Sequence, residues 1–142
     1  MKQIIFALLF LLVSVCSFAQ NEDAEYTKVL QQRADKIVKT LGVRNDAVYT
    51  KVVDVIVEQY QGLSGIHDHY EALIKDTKKK ISDKEKQAEA VKALENESNA
   101  KLYDLHCTYI GALSVYLTND QIEMVKDGMT YGVVMVTYNS YL

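Results

Sequence analysis

The feature that most constrains the fold is the spacing of apolar residues, which recur every three or four positions along most of the chain. This spacing places them on one face of an α-helix. The first such stretch covers residues 24–41 and is followed by Gly42, a residue type that commonly ends helices. Its apolar positions are Tyr26, Leu30, Ala34, Ile37, Val38 and Leu41. The pattern predicts a first helix.

A second apolar stripe predicts a helix that begins at Asn45 or Asp46. The stripe consists of Val48, Val52, Val53, Ile56, Val57 and Tyr60. Two glycines follow within residues 61–65, and apolar residues then continue at the same spacing as far as Ile74, so a bend and a break both remain open. The run Lys78, Lys79 and Lys80 suits a helix C-terminus, where cations are favoured.

Two capping boxes predict the starts of two more helices. In the first, the Ser82 hydroxyl is expected to accept from an exposed amide while Glu85 reaches back. In the second, Thr118 and Gln121 take the same roles at the start of a short helix. That short helix is expected to bury Ile122, Val125 and Met129 and to end near Gly128.

The second half of the third helix is predicted to bury a wide face, because two apolar rows run side by side. One row is Leu102, Leu105, Tyr109, Ala112 and Tyr116, and the other is His106, Ile110, Leu113 and Leu117. Residues 130–142 are rich in Val, Thr and Tyr and fit either a strand or a helix. The overall prediction is an all-α single domain over residues 20–142, a small helical bundle of about four helices.

The N-terminus has the pattern of a secretory signal peptide. Lys2 precedes an apolar run from Ile4 to Val15, and small residues then lead to Ala19, after which cleavage is expected. The run is shorter than the roughly 20 residues that a membrane span needs. Lipidation at Cys16 is the alternative, although Val15 stands where a small residue is usual. We therefore expect an exported protein of the periplasm or cell surface, with residues 1–19 removed.

The charge, cysteine content and aromatic residues of the chain left after signal cleavage indicate what it can bind and how its core is built. Loss of Lys2 with the signal takes the formal net charge from -3 to -4, so a nucleic-acid partner is not expected. If Cys16 also leaves, only Cys107 remains and no internal disulfide can form. All three phenylalanines lie in the signal and the chain has no tryptophan, so tyrosines are the aromatic residues of the domain. Their hydroxyls add polar groups to any core.

Two clusters of reactive side chains are expected to be structural. His67 and His69 could chelate a metal from extended backbone, but on a helix they diverge by about 200°, and no third and fourth ligands lie nearby. His106 and Cys107 could form a thiol–imidazole pair, but adjacent helical residues diverge by about 100°. We expect neither metal nor cofactor, no catalytic residue, a hydrogen-bonded core histidine at position 106 and a buried thiol at position 107.

The least ordinary local stretch is residues 126–132, which contains two glycines. Asp127 offers acceptors, Thr130 a donor and Tyr131 an aromatic face. An aromatic face beside planar polar groups suits a sugar ring, which has apolar C–H faces and hydroxyls that need hydrogen-bond partners. The alternative is a helix cap followed by ordinary packing.

Several motifs resemble a family of small secreted proteins of Gram-negative bacteria, a family of unknown function that is sometimes described as sugar-binding. The shared residues are Ile66–Asp68, Leu105–His106, Tyr109–Gly111, Leu113, Leu117–Thr118, Gln121, Val125–Gly132, Thr137–Tyr138 and Tyr141. The family usually has a basic residue near His69 and Tyr70, which this chain lacks. The resemblance implies a non-enzymatic carbohydrate-binding protein, and adds His67, Asp68 and His106 to the candidate ligand-binding residues Asp127, Thr130 and Tyr131. It also implies a further C-terminal segment beyond Leu142.

A second resemblance covers only Leu117, Thr118 and Gln121, which match the Leu-Thr-x-x-Gln motif of periplasmic stress chaperones. Those chaperones carry the motif twice, whereas it occurs once here. The alternative function that it implies is a client-binding chaperone, which would need an exposed concave apolar face.

Overall fold

The computed structural model describes residues 23–130, which form four helices. Helix α1 covers residues 23–40, and α2 is Asp46–Lys80, α3 Lys84–Ser114 and α4 Asn119–Met129. The described part is 88% helical and contains no strand. The predicted all-α helical bundle is confirmed. The signal peptide and the alternatives for residues 131–142 lie outside the described residues.

The hydrophobic core lies where all four helices meet, at one end of the molecule. Its most completely buried side chains are Ile56, Leu113, Val38, Val52 and Val125. The rest of the core is Leu30, Ala34, Ile37, Leu41, Val57, Tyr109, Leu117 and Ile122. Every one of these residues lies within 30–57 or 109–125, so the middle of the chain contributes nothing to this core.

Helix α1 ends as the sequence predicts. Gly42 follows it with a φ of +68°, in the left-handed region that glycine adopts without strain. Asn45 then caps α2, because its side-chain oxygen accepts from the Val48 amide at 3.1 Å. The two helices are also tied by Tyr49, whose hydroxyl donates to the Asp35 carboxylate at 2.5 Å.

Helix α2 runs without interruption through the two glycines, so a break at residues 61–65 is excluded. A Cβ placed on Gly62 would lie 2.9 Å from Leu105 of α3, whereas one on Gly65 would meet nothing within 4 Å. Gly62 therefore sits where α3 approaches closely, and packing against α3 offsets the low helix propensity of glycine.

The N-cap of α3 is Asp83 and not the expected Ser82. One carboxylate oxygen of Asp83 accepts from the amides of Glu85 and Lys86, both at 3.1 Å. A carboxylate is a stronger acceptor than a hydroxyl and also interacts favourably with the positive end of the helix dipole. The turn is closed by Gln87, whose amide donates to the carbonyl oxygens of Lys78 and Ile81 at 2.9 and 2.7 Å.

Of the four described helices, only α2 and α3 continue beyond the contact between Gly62 and Leu105, as an antiparallel pair. We call residues 63–102 the α2–α3 arm. Tyr70 is its one buried side chain, at 9% exposure. Its half-buried apolar residues are Leu63, Ile66, Ile74, Ile81, Ala90, Val91, Leu94 and Leu102. The 18 residues that α2 contributes give the arm a length of about 27 Å.

The buried face of α3 is narrower than predicted. Tyr109, Leu113 and Leu117 are buried, but Tyr116 is exposed. His106 and Cys107 are exposed as well, so the expectation of a core histidine beside a buried thiol is wrong. The reason is their position at the edge of the four-helix core, where neither α1 nor α4 covers α3.

Helix α4 begins with the predicted capping box. The Thr118 hydroxyl accepts from the Gln121 amide, and the Gln121 side chain accepts from the Thr118 amide at 3.0 Å. The Gln121 side chain also donates to the Leu41 carbonyl oxygen at 2.8 Å and so joins α4 to the end of α1. Ile122 and Val125 are buried and Met129 half-buried, as predicted. Among the described helices, none is long and apolar enough to cross a membrane.

Candidate functional site

The candidate site is a groove between the two helices of the α2–α3 arm, with a volume of about 440 Å³. Helix α2 lines it with His67, Tyr70, Glu71 and Ile74, and α3 lines it with Glu95, Ser98, Asn99 and Leu102. We call it the arm groove. Its volume falls within the range of small-molecule sites, which runs from about 300 to 1,000 Å³.

Helical periodicity explains why these side chains share one groove. His67 and Glu71 are four residues apart on α2, and Glu95 and Asn99 are four apart on α3, so each pair lies on one side of its helix. Because the two helices run antiparallel, the pairs face each other across the groove. Their side chains are exposed, whereas Tyr70 is buried beneath them.

The groove combines an apolar base with polar walls. Tyr70 is buried, and Ile74 and Leu102 are half-buried. The Tyr70 ring meets the neighbouring His69 ring edge to face, with centroids 5.1 Å apart and an interplanar angle of 84°. The groove therefore combines an aromatic side chain with carboxylate, amide, imidazole and hydroxyl groups.

Acidic groups dominate the electrostatics of the arm groove. Glu71 and Glu95 belong to none of the ion pairs formed within residues 23–130, and no lysine or arginine lines the groove. Glu71 also borders a shallower hollow of about 230 Å³, which Asp68, Ala72 and Lys75 complete. Asp68 therefore lies beside the groove rather than inside it, and its carboxylate accepts from Ser64 at 3.4 Å.

The sequence-predicted residues at the end of α4 lie elsewhere. Thr130 is the C-cap of α4, and its hydroxyl donates to the carbonyl oxygens of Lys126 and Asp127, both at 3.1 Å. Asp127 has one buried carboxylate oxygen that accepts no hydrogen bond from the described residues. Gly128 packs this end of α4 against Ile37 of α1. Tyr131 lies outside the described residues.

His106 also lies outside the arm groove. It is exposed on α3, seven residues beyond Asn99 and therefore about 10 Å further along the helix. Of the six predicted ligand-binding residues, the structure places His67 in the groove and Asp68 at its border, whereas Asp127, Thr130 and His106 line neither hollow. Within residues 23–130, no three His, Cys, Asp or Glu side chains come close enough to hold a metal ion.

A second groove, of about 410 Å³, lies between α1 and α2 around Tyr49 and Asp35. The remaining residues that line it are Lys28, Gln31, Gln32, Thr50, Val53 and Asp54. The hydrogen bond from Lys39, at 2.6 Å, holds the pKa of Asp35 below its ordinary value, and Tyr49 adds to this effect. Burial, together with the Asp35 bond, raises the pKa of Tyr49 to about 12. Tyr49 and Asp35 of this groove therefore bind each other.

A comparison with known families matches residues 27–142 to the family described as "Protein of unknown function (DUF3826)". The chain belongs to this family. No curated protein matches it. The matched residues include the whole arm groove, so the groove is part of the DUF3826 domain and not of an added segment.

Sequence reasoning missed the half of the DUF3826 groove that α3 contributes. Glu95, Ser98 and Asn99 lie in a charged stretch with no motif. The available signal was the short connection at residues 81–83, because two helices joined so closely pack antiparallel. Counting outward equally from that turn places His67 within two residues of the position opposite Asn99, and Glu71 within two residues of the position opposite Glu95.

Proposed function

We propose that this DUF3826 protein is an exported, non-enzymatic carbohydrate-binding protein and that the arm groove is its sugar site. The observation that carries the proposal is the composition of the groove, which combines a buried tyrosine with planar polar side chains from both helices and a hydroxyl from α3. The volume of about 440 Å³ is suited to a small oligosaccharide or to one end of a longer glycan.

The chemistry of a sugar ring fits these walls. Each ring carries several hydroxyls, and each hydroxyl both donates and accepts a hydrogen bond. Glu71 and Glu95 supply acceptors, and Asn99 supplies a donor and an acceptor in one plane. His67 and Ser98 supply further groups of both kinds. The apolar C–H face of the ring can then pack toward Ile74 and Leu102.

The sequence motifs support the same location. His67 belongs to the Ile66–Asp68 motif through which the chain resembles secreted proteins described as sugar-binding. The N-terminal signal pattern supports export, since it places the mature chain in a compartment where extracellular or cell-wall glycans are available. The Leu-Thr-x-x-Gln motif needs no chaperone function to explain it, because Thr118 and Gln121 cap α4 and join it to Leu41.

A glycan array tests the proposal, using the chain from Gln20 onward. Oligosaccharides that bind are then titrated by isothermal calorimetry. We expect saturable binding, a higher melting temperature in the presence of ligand, and no release of new reducing ends during incubation. Cleavage of a bound oligosaccharide would contradict the non-enzymatic part of the proposal. If a folded sample bound no glycan on the array, the proposal as a whole would be contradicted.

Two asparagines on α3 provide a matched pair of variants. Asn99 lines the groove, whereas Asn96 is exposed on the same helix and does not. We expect Asn99→Ala to weaken binding about tenfold, since one well-placed hydrogen bond is lost, and Asn96→Ala to bind as the unmodified protein does. Asp127→Ala tests the alternative location at the end of α4. Loss of binding in Asp127→Ala with full binding in Asn99→Ala would move the site there.

A further inference from the structure

The charge of the arm groove narrows the class of sugar that it can take. Carboxylates stand on both walls, Glu71 on α2 and Glu95 on α3. A third carboxylate, Asp68, borders the hollow next to Glu71. Lys75 lines that outer hollow and not the groove, and no lysine or arginine lines the groove itself.

Neither glutamate forms an ion pair within residues 23–130. The ion pairs of residues 23–130 join Lys39 to Asp35, Lys80 to Asp76 and Lys126 to Glu123, all away from the groove. Four residues separate Lys75 from Glu71, which is salt-bridge spacing on a helix, yet the two form no ion pair. The groove therefore presents two negative charges to whatever enters it.

Two fixed negative charges act differently on three classes of sugar. A uronic acid or sulfated sugar brings a like charge close to the glutamates and is disfavoured. A neutral sugar donates ordinary hydroxyl hydrogen bonds to them. A sugar with a free amine brings an ammonium group, which has three donors and forms charge-assisted bonds to carboxylates.

We propose that the arm groove selects amino sugars with a free, protonated amine over neutral sugars, and excludes acidic sugars, because Glu71 and Glu95 face each other across it. This inference rests on the proposed carbohydrate-binding function and names the ligand class of the same site. Glu71 and Glu95 clamp the ammonium group from opposite walls, while Asn99 and Ser98 bind the ring hydroxyls.

Three trisaccharides of equal length separate the alternatives by calorimetry: glucosamine, N-acetylglucosamine and galacturonic acid trimers. At low ionic strength we expect the glucosamine trimer to bind about tenfold more tightly than the N-acetylated trimer, because each exposed ion pair contributes modestly. The galacturonate trimer should show no saturable binding. The preference should shrink at 1 M salt, where charges are screened over a few ångströms.

Isosteric variants assign the preference to the two glutamates. The double variant Glu71→Gln with Glu95→Gln should bind the glucosamine and N-acetylglucosamine trimers equally. Glu97→Gln is the matched control, because Glu97 is exposed on α3 but does not line the groove. It removes one negative charge, as either groove substitution does alone, and should keep the preference. Thermal melts of all variants establish that each is folded.

The outcomes separate this inference from the proposed function. Equal binding of the glucosamine and N-acetylglucosamine trimers by the unmodified protein would overturn the charge selection and leave carbohydrate binding standing. The charge selection would also be overturned if Glu97→Gln lost the preference to the same extent as the double variant, or if trilysine bound as tightly as the glucosamine trimer. Either result would mean that the protein attracts cations in general. Failure of every trimer and every glycan on the array would remove the proposed function and this inference together.

Discussion

Two glycines should respond oppositely to the same substitution. Gly42 has a φ of +68°, and an added Cβ would meet nothing within 4 Å, so Gly42→Ala changes only the backbone conformational energy. An alanine in the left-handed region costs about 1 kcal/mol. Gly65 lies inside α2 with the same free space, so Gly65→Ala should stabilise the protein by about 1 kcal/mol through helix propensity.

Differential scanning calorimetry measures both effects, which should appear as melting temperatures about 4 °C lower for Gly42→Ala and about 4 °C higher for Gly65→Ala. The positions are in different elements with no shared contact, so the double variant should melt close to the unmodified protein. A lower melting temperature for Gly65→Ala would mean that α2 is not a continuous helix at this position. An unchanged one for Gly42→Ala would mean that the turn after α1 does not need a left-handed residue.

Three further outcomes follow from the described contacts. Leu113→Ala should destabilise the fold by about 3 kcal/mol in urea unfolding, because Leu113 is fully buried where the helices meet. Asp83→Ala should cost about 1 kcal/mol by the same assay, and Ser82→Ala less than about 0.5 kcal/mol, because Asp83 is the cap. The raised pKa of Tyr49, about 12, means that its contribution to stability is present below pH 10 and is lost as the pH rises toward 12. Between pH 10 and pH 12, the free energy of unfolding should therefore fall less for Tyr49→Phe than for the unmodified protein. Urea unfolding at both ends of this pH interval measures the difference.

The helices that the sequence predicts well are those whose signals are local. The apolar period of α1 and the box formed by Thr118 and Gln121 involve residues within one or two turns of each other. Whether these helices form, and where they begin, does not depend on the helices that pack against them. The same is true of Gly42, which ends α1 as expected.

The errors arise where tertiary contacts decide. Two glycines in α2 leave its continuity open in the sequence, and the close approach of Leu105 to Gly62 accounts for the unbroken helix. His106 continues an apolar row of α3, but the row passes the edge of the four-helix core before it reaches this residue. The spacing of apolar residues in one helix cannot show where the helices that pack against it end.

The arm groove was half predictable. His67 attracted attention as part of a motif, and Glu71 was recognisable as its neighbour four residues on. Glu95 and Asn99 are ordinary residues of an exposed helix, and only the antiparallel pairing of α2 and α3 brings them opposite the histidine. A site made from two helices in this way has no local signature in either.

The most direct test of the central claim is to locate the bound sugar by nuclear magnetic resonance, titrating the labelled chain from Gln20 onward with the tightest-binding oligosaccharide from the array. We expect the largest amide shift changes to cluster at residues 67–74 of α2 and 95–102 of α3. Asn99→Ala should weaken these changes, and Asn96→Ala should not. Shift changes centred on Asp127 and Thr130, with the arm unaffected, would contradict the claim.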